Sequence, residues 1–382
     1  MTTVTPWHVK GNIDYQKIIR TFGVQPLEQK HIDFFSEQAK KKKQPLHHFL
    51  TRNIFFAHRD VDILIEHLKK KQPLFVYTGR SPSNNMHLGH LLPMHFTKWL
   101  QDVFDCEVWI QFPDEEKFLF KKELEYETIQ HYMHENMLDI IAVGFNPQKT
   151  HFLVDTHHAS LLYKQATRVA KHITFSTVKS VFGFTHENNI GSIFYTAMQA
   201  VPCFLPHVLH QKPYMCLIPH AIDQDPHFRV TRDVVHKLGY PKPASIQCRF
   251  LPGLGGMQHD GKMSSSGTAN QAIFTTDTPA IIKKKINKYA FSGGQATVEE
   301  HRRLGGNPHI DIAYQWLTFF EQNDELLTTY FTQYKRGELL SGQLKALCIA
   351  CVTSFLEQHQ HRRKEAHTLI DTFMYKHNNK VT

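Results

Sequence analysis

A short histidine–glycine segment is the first part of the chain whose residue types and spacing suit phosphate chemistry. His87 and His90 flank Gly89 and follow an apolar run directly. At a helix start this spacing puts both imidazoles on one face, and glycine lets a flat ligand approach the backbone. Imidazole N–H groups beside the free amides of a helix N-terminus can donate to phosphoryl oxygens. We expect a phosphate-binding helix start, with two surface histidines as the competing interpretation.

A glycine-rich loop carries the second candidate group. Glycines recur between residues 253 and 267, and Lys262, Met263, Ser264 and Ser265 lie inside that segment. A lysine is a point charge for the β- and γ-phosphates of a nucleotide, and serine hydroxyls donate to the same oxygens. A flexible linker between domains is the alternative, although linkers seldom place Lys-Met inside a glycine run.

The elements that must position these groups follow an α/β pattern from about residue 56. Short apolar runs are separated by amphipathic stretches, and the runs are Pro73–Tyr77, Val108–Phe112, Phe152–Val154, Cys216–Ile218 and Ile246–Cys248. This alternation predicts a parallel sheet with helices on both faces, which binds ligands at the carboxyl ends of its strands. Pro93 disfavours a regular helix through residues 89–93, so we expect the helix after His87 to be kinked or to begin later.

The carboxyl-terminal third favours helices alone. Apolar residues recur at helical spacing in Ile281–Ala290, Ile312–Phe320, Leu326–Tyr334, Leu344–Glu357 and Glu365–Tyr375. Basic residues of this part are candidates to contact nucleic-acid phosphates, with solvated helix faces as an equal alternative. They are Lys283, Lys284, Lys285, Lys288, Arg302, Arg303, Arg362, Arg363 and Lys364.

Composition limits the classes of protein to which the chain can belong. Lys and Arg outnumber Asp and Glu by 44 to 35, which makes a polyanionic partner plausible. The six Cys show no zinc-knuckle spacing, so buried thiols are expected. No stretch reaches the roughly 18 apolar residues of a membrane span, and the first residues do not resemble a signal peptide. These features predict a cytoplasmic protein that uses no membrane, and the Lys40–Lys43 run is interpreted as a solvated helix end.

Two signatures together carry a family resemblance. His87-Leu88-Gly89-His90 resembles the first signature of class I aminoacyl-tRNA synthetases, and Lys262-Met263-Ser264-Ser265-Ser266 resembles the second. Many class I enzymes have a lysine at the position of Ser265, so Lys262 is expected to make most of the phosphate contact of this loop.

The resemblance extends over almost the whole chain to the tryptophan-specific synthetases of eukaryotes and archaea. The matching segments include Pro6-Trp7, Ile13–Tyr15, Phe22-Gly23, His47–Leu50, Ile54–Phe56, Ala221–Pro226, Gly239–Ala244 and Phe291–Gly294. On this resemblance we expect the protein to lack the optional amino-terminal helical appendage of the family.

The resemblance implies an α/β fold with a Rossmann-type parallel-sheet nucleotide-binding domain and an all-helical C-terminal domain. The expected divisions are an amino-terminal patch (1–55), the catalytic domain (56–267), a helical anticodon-binding domain (268–365) and a C-terminal helix that packs back on the catalytic domain (366–382).

The implied reaction is activation of tryptophan with ATP and transfer to tRNA(Trp), by a homodimer. The implied catalytic residues are His87, His90, Lys262, Ser264 and Ser265. ATP contacts fall on Thr78, Gly79, Arg80, His87, Gly89, His90, Asp223, Lys262, Met263 and Ser264. Tryptophan contacts fall on Tyr77, Gln111, Glu116, Gln199 and Gln224. No protein-held metal or tightly bound cofactor is expected, and Mg²⁺ enters with ATP.

Two alternatives remain open at this point. One is a tyrosine-specific synthetase, and the other is a non-tRNA adenylyltransferase that shares the His-x-Gly-His element. The length, the second signature and the helical C-terminal part disfavour the adenylyltransferase.

Overall fold

A single mixed sheet organises the described part of the chain. The structure is a computed structural model that describes residues 3–4, 9–10, 14–256, 262–263 and 272–376. Its strands are β1 (Thr3–Val4), β2 (Val9–Lys10), β3 (Gln25–Pro26), β4 (Phe55–Arg59), β5 (Leu74–Gly79), β6 (Glu107–Phe112), β7 (Thr150–Val154), β8 (Met215–Ala221) and β9 (Ala244–Cys248). Within the described ranges, β1 and β2 pair antiparallel as a separate two-stranded sheet, and the large sheet has the order β3-β4-β9-β8-β5-β6-β7.

The predicted strands are all present, but the sheet is not wholly parallel as expected. Strands β9, β8, β5, β6 and β7 are parallel neighbours, with Tyr77 opposite Trp109 and Gly79 opposite Gln111. Strand β4 pairs antiparallel with β9, and β3 pairs antiparallel with β4. The segment before residue 60 therefore extends the sheet at its edge. Strands β3 and β4 are short and lie close to polar residues in the sequence, so neither of them stands out there as a strand.

Helices cover the sheet and form the C-terminal part. They are α1 (Tyr15–Phe22), α2 (Gln29–Lys41), α3 (His48–Thr51), α4 (Val61–Lys69), α5 (Leu88–Phe104), α6 (Asp114–Phe120), α7 (Tyr126–Ile141), α8 (Ala159–Ala170), α9 (Phe175–Phe182), α10 (Ile190–Met198), α11 (Leu205–His210), α12 (Asp225–Val235), α13 (Pro279–Tyr289), α14 (Val298–Leu304), α15 (Ile312–Phe320), α16 (Asp324–Lys335), α17 (Ser341–Glu365) and α18 (Ile370–Phe373). None of these described helices is long and apolar enough to cross a membrane.

Helix α5 begins at Leu88, so the expectation of a later start was wrong. His87 is its N-cap, and the helix continues through Pro93 to Phe104. Proline removes the N–H that would bond the carbonyl four residues earlier, on Gly89. The helix tolerates this because its flanking residues are strongly anchored: Leu91, Leu92 and Met94 are all buried in the main core.

The helical C-terminal part shares a core with the sheet. Apolar residues of α13, α15 and α17 belong to the same buried cluster as those of β5 and β6. A polar contact ties α17 to α7: Oδ1 of Asp139 accepts hydrogen bonds from His359 at 3.1 Å and from Arg363 at 2.8 Å. Oδ2 of the same carboxylate accepts from Thr275 Oγ1 at 2.9 Å. These contacts hold the long helix α17 against the sheet domain.

The expected helix over residues 366–382 is largely wrong. A 3₁₀ turn covers Ala366–Thr368, and α18 is a single short helix. The chain then runs along β7, where the amide of Tyr375 donates to the carbonyl of Phe152 at 3.0 Å, and residues 377–382 lie outside the described part. Phe373 is fully buried against Phe152, and this apolar anchor favours a turn toward the sheet over a longer helix.

Candidate active site

One cavity at the carboxyl ends of the parallel strands gathers the predicted site residues. It has a volume of about 390 Å³. Its walls include every predicted site residue that the structure describes: Tyr77, Thr78, Gly79, Arg80, His87, Gly89, His90, Gln111, Glu116, Gln199, Asp223, Gln224, Lys262 and Met263. Ser264 and Ser265 lie outside the described residues. Residues as far apart in sequence as Tyr77 and Met263, which are 186 positions apart, therefore meet at one site.

The two signature histidines stack at the start of α5. Their ring centroids are 3.6 Å apart, and the backbone N–H of His87 donates to Nδ1 of His90 at 3.2 Å. A neutral imidazole whose Nδ1 accepts carries its proton on Nε2, so His90 has a donor left for a ligand. Burial, reinforced by the charges of Arg80 and Lys262, lowers the pKa of His87 to about 3. Both rings are therefore neutral donors at physiological pH, and the pKa of His90 is lowered for the same main reason.

Gly89 has a second structural role besides exposing the backbone. A Cβ atom at this position would lie 3.2 Å from two atoms of the His87 ring and 3.8 Å from the Met263 side chain. The absence of a side chain thus lets the His87 ring lie over the helix start. The distance to Met263 is ordinary van der Waals contact, so the His87 ring alone sets the steric limit at this position.

Lys262 and Asp223 pair across the cavity. Lys262 Nζ lies 2.7 Å from Oδ2 of Asp223 and 5.6 Å from the ring centroid of Phe250. The other oxygen of Asp223, Oδ1, is buried without a hydrogen-bond partner among the described residues. Asp223 lies in a 3₁₀ turn that follows β8, so the sheet fixes its position. This carboxylate keeps one acceptor for a ligand even while it holds Lys262.

The opposite end of the cavity holds a chain of buried polar side chains. Tyr77 is fully buried, and its hydroxyl donates to Gln111 Oε1 at 2.5 Å and accepts from Gln199 Nε2 at 3.0 Å. Burial raises the pKa of Tyr77 well above its usual value, so it stays protonated. Gln111 in turn donates from Nε2 to Asp155 Oδ2 at 2.7 Å. Three predicted tryptophan contacts thus form one hydrogen-bonded unit.

Glu116 is an ionised carboxylate near this unit. It is 6% exposed and accepts from Lys117 Nζ at 2.7 Å. Burial alone would raise its pKa, but the ammonium group of Lys117 outweighs burial and lowers the pKa below the ordinary value. The cavity therefore contains a fixed negative charge on the wall that also carries Tyr77 and Gln111.

Arg80 adds a partly buried positive charge above β5. Its backbone N–H donates to the carbonyl of Gln111 at 2.8 Å, and its guanidinium donates to the carbonyl of Asn84 at 3.2 Å. Burial lowers its pKa to about 10, which still leaves it charged at neutral pH. Its Nε has no partner among the described residues, so the guanidinium retains donor capacity.

Sequence reasoning missed the residues behind the predicted pocket. Asp155 is a buried carboxyl group that contacts Gln111, Glu115 lies within hydrogen-bonding reach of Asp155, and Tyr195 donates to Gln199 Oε1. The available signal for Asp155 was its position directly after the apolar run that forms β7, at the ligand-binding edge of the sheet. That signal alone does not reveal which side chain it contacts.

A group of possible metal ligands lies away from the cavity, near α2 and α4. Atoms of His31, His58 and Asp62 lie within 4.8 Å of one another. Nδ1 of His31 accepts the Glu28 amide at 2.9 Å, and Nδ1 of His58 accepts the Val61 amide at 3.3 Å. Both rings therefore carry their protons on Nε2, where a metal would have to bind, and the cluster is better suited to hydrogen bonding.

Comparison with known proteins agrees with this geometry. Residues 69–357 match the family of class I tRNA synthetases for tryptophan and tyrosine (W and Y). The chain is 44% identical over 381 residues to the tryptophan–tRNA ligase of Saccharolobus solfataricus, a match covering 98% of this chain and 95% of that protein. It is 45% identical over 403 residues to the cytoplasmic tryptophan–tRNA ligase of Saccharomyces cerevisiae, covering 98% and 89% respectively.

Solved structures give the same result. The tryptophanyl-tRNA synthetase of Giardia lamblia superposes with a TM-score of 0.87 at 38% identity, over 95% of this chain and 96% of that chain. The tryptophan-bound enzyme of Encephalitozoon cuniculi superposes with a TM-score of 0.87 at 34% identity, over 96% and 99%. From the family match, the near full-length identity and the shared fold, we conclude that the chain belongs to the class I aminoacyl-tRNA synthetases, in the tryptophan and tyrosine family.

Proposed function

We propose that this enzyme activates L-tryptophan with ATP and transfers it to the 3′ end of tRNA(Trp). The observation that carries the proposal is the buried unit of Tyr77 and Gln111 at the floor of the cavity. Indole has one N–H donor and no acceptor, so a tryptophan site needs an acceptor at its floor. Oε1 of Gln111 and the hydroxyl oxygen of Tyr77 each retain a lone pair for that contact. The curated relatives named above are tryptophan–tRNA ligases.

Other polar groups that line the cavity suit the amino-acid backbone of the substrate. Glu116 takes the ammonium group, for which the lowered pKa of this carboxyl keeps a negative charge in place. Gln199 and Gln224 complete the contacts to the ammonium and carboxylate groups, and both line the same cavity. The substrate carboxylate then points toward the part of the cavity that is lined by His87 and His90.

ATP occupies the opposite end of the cavity. Thr78, Gly79 and Gly89 give its base and ribose a close approach to the backbone, and Asp223 Oδ1 accepts a ribose hydroxyl. His87, His90, Arg80 and Lys262 face the phosphates, with Met263 seating the lysine loop and Ser264 and Ser265 adding hydroxyl donors. These donors act on negative charge that develops during the reaction.

The reaction is an in-line displacement. The tryptophan carboxylate attacks the α-phosphorus, the bond from that phosphorus to the bridging oxygen breaks, and pyrophosphate leaves. The terminal ribose hydroxyl of the tRNA then attacks the adenylate and releases AMP. Neither step needs a protein nucleophile, so catalysis is positioning and charge stabilisation. Of the described residues that line the cavity, the only carboxylates are Glu116 and Asp223, and each pairs with a lysine. In this proposal Mg²⁺ would enter with ATP and would supply positive charge at its phosphates, and no tightly bound cofactor takes part.

The helical residues 268–365 are proposed to bind the tRNA anticodon stem. Lys283, Lys284 and Lys288 are exposed on α13 and suit phosphate contacts. Other basic residues considered from sequence have internal partners: Lys285 pairs with Asp277 at 2.6 Å, and Arg363 pairs with Glu135 at 2.5 Å. Fewer basic residues of this part are therefore available to tRNA than the sequence alone suggests.

Acylation of a tRNA(Trp) transcript with labelled tryptophan tests the proposal. We expect ATP-dependent formation of tryptophanyl-tRNA and none of tyrosyl-tRNA, which separates tryptophan from the nearest rival substrate. Adenylate formation without transfer to any tRNA would instead favour a non-tRNA adenylyltransferase. We propose a cytoplasmic location and a homodimeric state as well, and the relative in Saccharomyces cerevisiae is named as cytoplasmic.

A further inference from the structure

A chain of buried hydrogen bonds with a single direction runs behind the proposed indole site. Tyr195 donates to Oε1 of Gln199, and Nε2 of Gln199 donates to the Tyr77 hydroxyl at 3.0 Å. Tyr77 donates to Oε1 of Gln111 at 2.5 Å, and Nε2 of Gln111 donates to Oδ2 of Asp155 at 2.7 Å. Every donor in the chain points toward Asp155.

Only the terminal residue can fix this direction. A glutamine amide has a donor end and an acceptor end and can be turned over, and a tyrosine hydroxyl can donate either way. The carboxylate oxygen that meets Gln111 accepts only. Asp155 is 1% exposed, and its backbone N–H donates to the carbonyl of Phe112 at 3.2 Å, which fixes its backbone beside the strand that carries Gln111.

The direction decides what the site presents to a ligand. With its proton donated to Gln111, Tyr77 offers only an oxygen lone pair to the cavity. With its NH₂ group held by Asp155, Gln111 also turns an oxygen toward the cavity side. A reversed Gln111 amide would present N–H groups instead, and these would oppose the N–H of an indole.

We propose that Asp155 is a positioning residue that determines specificity: it holds Gln111 and Tyr77 as acceptors and thereby selects an amino acid whose side chain carries an N–H donor. The inference rests on the proposed tryptophan activation. Asp155 does not touch the substrate and acts through Gln111.

The neighbouring carboxyl group of Glu115 is compatible with this role. Neither oxygen of Glu115 nor Oδ1 of Asp155 has another hydrogen-bond partner among the described residues, and the two groups lie within bonding reach. Burial raises the pKa of Glu115 to about 7, and burial with the charge of Glu115 raises the pKa of Asp155. A proton shared on the Oδ1 side leaves Oδ2 free to accept from Gln111.

The test compares tryptophan with its benzothiophene analogue, in which sulfur replaces the indole N–H. The measured quantity is the ratio of kcat/KM for tryptophan over kcat/KM for the analogue in ATP–pyrophosphate exchange. Asp155→Leu removes the acceptor at similar size and should lower the ratio by roughly ten- to a hundred-fold, with the KM for ATP nearly unchanged. Asp155→Asn keeps an oxygen toward Gln111 and an N–H₂ group toward Glu115, so it should keep the ratio within about threefold.

Tyr195→Phe is the matched control, because it removes a buried hydroxyl at the other end of the same chain. It should retain the ratio, since Asp155 still sets Gln111 and Tyr77. If the Asp155→Leu variant does not fold, Asp155→Ala replaces it, because alanine also removes the acceptor and introduces a smaller side chain.

If kcat/KM falls by the same factor for tryptophan and for the analogue in the leucine or alanine variant, the effect is structural alone and the inference is overturned. A ratio that collapses in Asp155→Asn or in Tyr195→Phe would overturn it too. Exchange by the wild-type enzyme separates failure of this inference from failure of the proposed function. If the wild type shows tryptophan-dependent exchange and the Asp155→Leu variant keeps the wild-type ratio, only the role of Asp155 is overturned. Absence of any tryptophan-dependent exchange removes both.

Discussion

Lys262 Nζ lies 2.7 Å from Oδ2 of Asp223, so two residues proposed to bind different parts of ATP are also in contact with each other. Asp223 is buried on the sheet side, whereas Lys262 lies on the glycine-rich loop. The pair holds Lys262 beside the cavity with the lysine charge balanced. Because Oδ1 of Asp223 has no partner among the described residues, a ribose hydroxyl can bind there while Lys262 still contacts Oδ2.

Replacing Lys262 should affect the chemical step more than tryptophan binding. The contact of Lys262 with the phosphates tightens as charge develops, so Lys262→Ala should slow adenylate formation by roughly 10²–10³-fold. The dissociation constant of tryptophan should stay nearly constant in equilibrium fluorescence. Lys283→Ala, on an exposed lysine of α13, is the control for loss of one positive charge. A large rise in the tryptophan dissociation constant with an unchanged single-turnover rate would contradict the role of Lys262.

Loss of the indole acceptors should relax selectivity. A site that reads a polar group of its substrate rejects the analogue lacking that group by about 10⁴–10⁵. The double variant Tyr77→Phe with Gln111→Ala should therefore discriminate much less between tryptophan and phenylalanine, at a similar KM for ATP. Full retention of selectivity would show that the acceptors lie elsewhere. The wild type should not hydrolyse preformed Phe-tRNA, because this selectivity makes editing unnecessary.

The contact between α7 and α17 should contribute strongly to stability. Asp139→Ala leaves the buried His359 without its acceptor and removes one of the two carboxylate partners of the half-buried Arg363, which keeps Glu135. Removing one partner of a buried ion pair typically costs about 3–5 kcal/mol in the free energy of unfolding. Asp102→Ala is the control, since its pair with Lys98 is partly exposed and should contribute less than about 1 kcal/mol. Urea unfolding of both variants measures the difference, and similar losses would refute the special weight given to Asp139.

Buried histidines should make the fold sensitive to acid. Burial lowers the pKa of His58 from 6.5 to about 4, so the unfolded chain binds a proton there at a higher pH than the folded one. The unfolding free energy is unaffected by this group above pH 6.5 and falls as the pH drops from 6.5 toward 4. His58→Asn keeps an acceptor for the Val61 amide and removes the titration. Between pH 6.5 and 4 the unfolding free energy of the variant should therefore fall less steeply than that of the wild type, by up to about 1.4 kcal/mol per pH unit. Parallel pH curves for wild type and variant would contradict this.

An exposed apolar patch is our candidate for the dimer contact. Ile190 is 85% exposed at the start of α10, and Tyr163 is 61% exposed on the adjacent α8. We expect sedimentation to give twice the 44.5 kDa mass of one chain. Ile190→Asp should shift the enzyme toward monomers, while Ile63→Asp, at an equally apolar exposed position on α4, should not. A mass of one chain at all concentrations would exclude the homodimer.

The parallel strands and the two signatures were predictable because each is local. Apolar runs such as Val108–Phe112 become strands wherever helices cover both faces, and the spacing of His87 and His90 determines a shared helix face. The antiparallel addition of β3 and β4 was not predictable in the same way. Two-residue strands such as Gln25–Pro26 have no periodicity, and their pairing depends on an edge that forms only in the folded sheet.

The residues behind the site escaped prediction for a related reason. Asp155 contacts Gln111 across two strands, 44 residues away in sequence, and a lone aspartate after a strand does not specify that partner. The pairing of Lys262 with Asp223 was missed as well, because sequence resemblance describes the ligand-bound roles of both residues. The contact joins residues 39 positions apart in sequence, and neither segment specifies the other as its partner.

The central claim is that the buried acceptors of the cavity choose tryptophan. ATP–pyrophosphate exchange with the wild-type enzyme, run separately with each of the twenty amino acids, tests it most directly. We predict exchange with tryptophan, with phenylalanine and tyrosine lower by about 10⁴-fold or more in kcat/KM. Exchange supported equally by tyrosine, or by another amino acid in place of tryptophan, would contradict the account.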